Sequence, residues 1–211
     1  GSRRRHPCRM PCRQCRRAVL PIIAELMTAK AILVIDMQRD FVLPSSVCCV
    51  AGAQATVPAI SRMLEYARAC GWAVIHIVRR HRPGGVDAEP FRRHLFADGG
   101  QFCVEGSEGA RIVSGLEPRP GDYVVAKTRF DAFFRTDLEV LLRGLGTEEV
   151  YICGTQYPNC VRSTAVGALE RDYAVTVVTD CCSAATTAIA EANIADMRAM
   201  GIQCLPSGDI M

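Results

Sequence analysis

The sequence predicts an α/β domain with three layers, α/β/α, around a mostly parallel sheet. Two observations carry this. Short continuous apolar runs alternate with segments of helical periodicity, and the runs lack the in-out alternation of a strand that faces water on one side. Strands buried on both faces and separated by helices make a parallel sheet covered above and below.

Taken in order, Ala31–Ile35 is the first apolar run, and it ends in Asp36. Residues 53–70 read as a helix, with Val57, Ile60, Leu64 and Ala67 repeating at three or four and Gly71 as the stop. Residues 72–78 form the second strand. Residues 79–121 are rich in Gly, Pro, Arg and Asp and read as loops with short helical pieces. The third strand spans 122–126, a helix covers 136–144, and the fourth strand spans 149–153. A helix over 159–172, a fifth strand over 174–179, a helix over 188–200 and a short strand at 202–204 complete the chain.

Composition limits the class. Of 211 residues, 49% are hydrophobic and 22% charged, which excludes a mainly disordered chain, a collagen and a coiled coil. No run of eighteen apolar residues is present, so no membrane partner is expected. Charge is unevenly placed: residues 1–30 hold eight Lys or Arg and one Glu, and 31–211 hold 17 basic and 21 acidic residues. The body is therefore not expected to bind nucleic acid. Twelve cysteines at irregular spacing do not read as a secreted disulfide framework at this length. They are expected to be buried or neutral thiols in a reducing, cytoplasmic setting.

Residues 1–29 are read as a basic, Cys-containing extension and 30–211 as the domain. Gly1-Ser2 is expected to be the remnant of a cleaved tag. The arginines of residues 3–26 leave three readings open: a mitochondrial targeting segment, a nucleic-acid-binding arm, or an extension without folded function or upstream of a start at Met27. Few serines and no clean amphipathic period argue against the first. Cys12 and Cys15 form one C-x-x-C pair, a weak zinc signal without a second pair.

Chemistry is sought at the carboxyl ends of the strands, where ligands bind in open α/β sheets. Asp36 ends the first strand, Lys127 follows the third, and the fourth runs into Gly154-Thr-Gln-Tyr-Pro-Asn-Cys160. Asn159 reads as an N-cap and Cys160 as the first helical residue, where the helix dipole and a nearby ammonium would favour a thiolate. Each residue alone has a structural explanation; an acid, a cation and a thiol on one sheet edge make a site.

Three stretches, Ile35-Asp-Met-Gln-Arg-Asp-Phe41, Lys127-Thr-Arg-Phe-Asp-Ala-Phe-Phe134 and Gly154-Thr-Gln-Tyr-Pro-Asn-Cys-Val161, resemble the isochorismatase-like cysteine hydrolase superfamily. That superfamily includes nicotinamidase, N-carbamoylsarcosine amidase and ureidoacrylate amidohydrolase. The resemblance covers about residues 30–205 and implies an isochorismatase-like, Rossmann-like fold. It implies Cys160 as nucleophile, Asp36 as general base and Lys127 as third member of a triad. It also implies a cis peptide at Thr155–Gln156 and an oxyanion hole made by the backbone N–H groups of Gln156 and Cys160. The reaction implied is hydrolysis of a small amide or ureido C–N bond through a thioester, with no cofactor, in a homodimer or homotetramer. A catalytically silent binding protein is the alternative.

Departures from the family pattern matter for the substrate. Nicotinamidases carry Asp-x-His after the second strand and bind a metal; here Arg79-Arg80-His81-Arg82 stands there. One imidazole is a poor metal site, so no metal is expected. An arginine of this cluster is expected to hold a substrate carboxylate in a bidentate way. Arg129 is a similar candidate. His81, Phe130 and Tyr157 are expected to line the pocket, Tyr157 where many relatives have threonine. His76 lies within the strand and is expected to be packed.

Overall fold

The computed structural model describes residues 30–46 and 48–211. The basic extension, with its C-x-x-C pair and Met27, lies outside the described residues.

Among the described residues six strands form one all-parallel sheet: β1 (Lys30–Ile35), β2 (Ala73–Arg79), β3 (Tyr123–Lys127), β4 (Glu149–Thr155), β5 (Ala174–Ser183) and β6 (Gln203–Leu205), in the order β3-β2-β1-β4-β5-β6. The strand order reverses between β1 and β4, so the topological switch lies between them, and a crevice for ligands opens at their carboxyl ends. The helices are α1 (Arg39–Val42), α2 (Ala53–Ala69), α3 (Leu138–Gly144), α4 (Arg162–Leu169) and α5 (Thr187–Ala199).

The continuous apolar runs are explained by burial on both faces. β2 is buried at all seven positions and β1 at five of six. On one face Leu33, Ile35, Ile75, Ile77 and Val125 pack with Leu138, Leu142, Ala165 and Met197. On the other, Ile32, Val34 and Val74 pack under Ile60, Met63, Leu64 and Ala67 of α2. Each such aliphatic side chain, once buried, contributes about 1.5–3 kcal/mol. β3 is the edge strand, and there the pattern does alternate: Val125 and Lys127 are buried while Val124 and Ala126 are exposed.

Two predicted elements differ. The fifth strand runs on to Ser183, because its pairing with β4 shifts register between Ile152 and Gly154 and then resumes as Gly154 with Cys182 and Thr155 with Ser183. Gly154 has φ 113°, and a Cβ there would lie 2.1 Å from the Ile35 carbonyl oxygen. Only glycine lets the end of β4 come this close to the end of β1. The helix expected from residue 159 begins with a π-helical turn, Tyr157–Val161, with Gln156 at its N-cap. Asn159 is therefore inside the turn and is not the cap.

His76 is packed as expected, 1% exposed in β2, with Nε2 3.5 Å from Asp122 Oδ2. Burial lowers its pKa, and Asp122 opposes this without reversing it. The unfolded chain therefore binds a proton at mildly acid pH that the folded chain refuses. Stability should be complete above about pH 6.5 and fall as the pH drops below it. Thermal midpoints measured from pH 7.5 to 5.5 should decline, and His76→Leu should flatten that decline.

Candidate active site

β1 delivers Asp36 at the switch point. The Asp36 N–H donates to the Ile77 carbonyl at 2.9 Å, which extends the β1–β2 pairing by one residue. Its φ of 51° then turns the chain out of the sheet, a conformation that Asp tolerates better than most residues. β3 delivers Lys127 on the face that also carries Val125. Lys127 Nζ donates to Asp36 Oδ2 at 2.7 Å and to the Arg129 carbonyl at 3.1 Å. Asp36 is 1% exposed and Lys127 2%.

The turn after β4 brings Cys160 to the same place. The Thr155–Gln156 peptide is cis. The Gln156 carbonyl accepts from the Asn159 and Val161 N–H groups at 3.3 and 3.2 Å. Cys160 is buried. Its thiol lies near enough to Asp36 to feel the carboxylate, and Asp36 Oδ1 has no hydrogen-bond partner. Asp36, Lys127 and Cys160 are thus brought together, as their placement at three strand ends predicts.

The electrostatics correct one expectation. Burial pushes the Cys160 thiol above its ordinary pKa and Asp36 pushes it further, while Lys127 and Arg79 pull it down without prevailing. The π-helical turn also removes the supposed N1 position at the start of an α-helix. Burial and Asp36 thus work against a preformed thiolate at Cys160.

Arg79 is the second correction. Within the arginine cluster, β2 alternation puts Arg79 on the inner face with Ile75 and Ile77, opposite Lys127 in register. Its side chain is fully buried. Nη1 donates to Glu89 Oε1 at 2.6 Å and to the Thr128 carbonyl at 3.0 Å, and Nη2 lies 3.5 Å from Cys160 Sγ. One edge of the guanidinium is thus taken by protein acceptors, while Nη2 faces the thiol and Nε has no hydrogen-bond partner. Arg80 points outward to Glu105 at 3.4 Å, and both partners are exposed. Arg129 is half-buried, with Nη1 on the Asp87 and Thr128 carbonyls at 2.6 and 2.9 Å.

Tyr157 is the third. It is 1% exposed in the core, and its hydroxyl donates to the Thr179 carbonyl at 2.9 Å. It fastens the π-helical turn to β5 and does not line a pocket. His81 is packed edge-on against Phe96 and Phe102, with Nδ1 3.3 Å from Asp87 Oδ1. Burial and Arg79 lower its pKa. One imidazole, one carboxylate and two phenyl rings do not fit a divalent cation. Among the described residues no group of three His, Cys, Asp or Glu side chains could hold a metal ion. Phe130 stays at the site, half-buried under the guanidiniums of Arg79 and Arg92, whose centres lie 5.7 and 5.1 Å from its ring.

Two residues had no assigned role in the sequence. Gln38 grips the Arg79 backbone from both sides: its Oε1 accepts from the Arg79 N–H at 2.6 Å and its Nε2 donates to the Arg79 carbonyl at 2.8 Å. Glu89 stands at the N-cap of the 3-10 segment Pro90–Gly99, but its side chain makes no cap and turns to Arg79 instead. Gln38 belongs to the Asp36 motif, which was a signal. Glu89 lies in an irregular stretch where no periodicity marks a buried acid.

Comparison with known proteins agrees with this fold. The sequence profile of the Isochorismatase domain matches residues 30–209. A protein of Arabidopsis thaliana named "Probable inactive nicotinamidase" is 42% identical over 184 residues, covering 86% of this chain and 94% of that protein. The maleamate amidohydrolase of Pseudomonas putida is 30% identical over 176 residues, covering 79% of this chain and 78% of the enzyme. The crystal structure of an isochorismatase family protein from Desulfovibrio vulgaris superposes with a TM-score of 0.83 at 56% identity, covering 84% of this chain and 94% of that one.

Proposed function

Because this chain belongs to the isochorismatase family, we propose that it is a metal-independent cysteine hydrolase of a small amide or ureido compound, working through a thioester on Cys160. The observation that carries this reading is the meeting of Asp36, Lys127 and Cys160, all nearly excluded from water, at the switch point of the sheet.

The geometry supports the following steps. Asp36 Oδ1 takes the thiol proton as Sγ attacks the carbonyl carbon, and the C=O π pair moves to oxygen. The backbone N–H groups of Gln156 and Cys160 hold that oxyanion. In support, the Gln156 carbonyl is taken by the residues on either side of Cys160, and the Cys160 N–H is not among its donors. The proton then passes from Asp36 to the leaving nitrogen, the C–N bond breaks, and ammonia or an amine departs. Water, giving its proton to Asp36, attacks the thioester and releases the acid and Cys160. Lys127 holds Asp36 in place between these transfers through the 2.7 Å contact.

A second reading has a specific observation in its favour: a relative is described as a probable inactive nicotinamidase. Among its described residues this chain has no group of three His, Cys, Asp or Glu side chains that could hold a metal ion. It keeps a complete thiol, carboxylate and ammonium group, which a silent protein does not need.

The test is incubation with primary amides and ureido acids, with ammonia as the readout and intact mass as the record of an acyl adduct. Ammonia release that stops when Cys160 is alkylated, together with an adduct on Cys160, is the expected result. Turnover that survives alkylation would sink the assignment. The resting thiol also has a signature. Iodoacetamide labelling of Cys160 should climb with pH through and beyond the ordinary thiol range. A plateau below pH 7 would show a preformed thiolate instead.

A further inference from the structure

The contact between Arg79 and Cys160 has no part in a carboxylate, thiol and ammonium triad. An ordinary carboxylate and an ordinary thiol differ by about 4.5 pKa units, so Asp36 alone is a weak base for Cys160. Something must receive the charge that grows on sulfur.

We propose that Arg79 is a further catalytic residue, whose Nη2 N–H holds the Cys160 sulfur as its thiolate form develops, with Glu89, Thr128 and Gln38 fixing the guanidinium for that purpose. This rests on the hydrolase reading and deepens it.

The geometry supports each part. Nη2 is 3.5 Å from Sγ, within the range of an N–H donor to sulfur. The other terminal nitrogen is occupied twice, by Glu89 at 2.6 Å and the Thr128 carbonyl at 3.0 Å, which leaves Nη2 to the sulfur. The Arg79 backbone is clamped by Gln38 at 2.6 and 2.8 Å. The guanidinium is fully buried, so water does not screen it from the sulfur. The charged groups around the pair are few. Asp36 and Lys127 face Cys160; Glu89 faces Arg79, and Arg92 Nη1 lies 3.6 Å from Glu89. Glu89 balances the guanidinium in the resting state, when sulfur carries no charge.

Arg79 acts twice in the cycle. When the S–H bond breaks, the proton goes to Asp36 and the electron pair left on sulfur is met by the Nη2 N–H. It then forms the S–C bond, and the charge moves to the oxyanion. In deacylation the C–S bond breaks, its pair returns to sulfur, and Arg79 receives it again before Asp36 returns the proton. A thiolate so held is a better leaving group, so Arg79 hastens the hydrolysis of the thioester as well as its formation.

The experiment uses the full chain and two variants. Arg79→Met removes the charge and keeps the length; Arg79→Lys keeps the charge but cannot hold Glu89, Thr128 and sulfur at once. The first readout is iodoacetamide labelling of Cys160 as a function of pH, which needs no substrate. Arg79→Met should shift the profile to higher pH, so that the rate at pH 8 falls at least about tenfold, one pKa unit's worth. Arg79→Lys should fall between it and the unaltered protein. The second readout is the thioester on Cys160, which should persist at least about tenfold longer in either folded variant. Where Arg79→Met does not fold, Arg79→Lys decides. A folded variant whose labelling profile and thioester lifetime both stay within twofold of the parent overturns the role of Arg79. An inert Cys160 in the unaltered protein instead overturns the hydrolase reading itself, so the two failures are separate.

Discussion

Cys160→Ala should leave a folded protein whose amide hydrolysis has dropped by about 10⁴-fold or more, the scale on which removal of a nucleophile disables covalent catalysis. The loss is not graded, because no second nucleophile is at hand. Asp36 and Lys127 remain paired at 2.7 Å, but without Sγ they can only assist a direct attack by water. That attack would have to enter a site built for a bonded sulfur. Stability should change little, by about 1 kcal/mol, since one buried heavy atom is removed. Asp36, which disfavours charge on that sulfur in the intact site, loses an interaction partner rather than a counter-charge. Ammonia release and a thermal midpoint, measured on the same preparation, check both halves. Hydrolysis within tenfold of the parent would remove Cys160 from the mechanism. A large fall in midpoint would mean that the thiol is chiefly a packing group.

The legibility of this site in the sequence depends on where each residue sits. Asp36, Lys127 and Cys160 follow apolar runs, and a parallel sheet sends the carboxyl ends of all its strands to one edge. Finding the strands therefore places the three residues together. The fold was legible for the same reason: burial on both faces of β1, β2 and β4 leaves a continuous apolar signature. What could not be read is the outcome of competition between local preferences. Asn159 is a good cap in isolation, but Tyr157 fastens to Thr179 of β5 and Gln156 takes the cap position of a π-helical turn. Dipole reasoning then pointed to a lowered thiol pKa, whereas burial, which depends on the whole fold, raises it.

Arg79 was misjudged for a different reason. Residues 79, 80 and 82 look alike as a surface run of charge. The period of two along β2 distinguishes them, because Ile75 and Ile77 face the core and 79 continues that face while 80 does not. The alternation is present in the sequence and marks 79, rather than 80, as the inward-facing arginine of the cluster. Its partner Glu89, ten residues on, comes from an irregular segment whose path no local pattern reveals.

The Asp36–Lys127 pair should separate stability from activity in a double-mutant cycle. Lys127→Met leaves an ionised carboxylate that is 1% exposed and has lost its ammonium. Breaking a buried pair from one side costs about 3–5 kcal/mol. For a domain of this size that is a large share of a total of about 5–15 kcal/mol and a midpoint loss of about 10 °C. Asp36→Asn removes the counter-charge instead and leaves the ammonium to neutral acceptors, the asparagine Oδ1 and the Arg129 carbonyl at 3.1 Å. Asparagine accepts the left-handed φ of 51° at this position, so the backbone adds little to that cost. The double variant Asp36→Asn with Lys127→Met buries no net charge and should recover at least half of what either single variant loses. Hydrolysis should stay lost in all three, since the base is gone or unsupported in each. Additive losses in the cycle would mean that the two groups are not coupled. Recovered activity in the double variant would mean that the pair is structural and that the proton from Cys160 goes elsewhere.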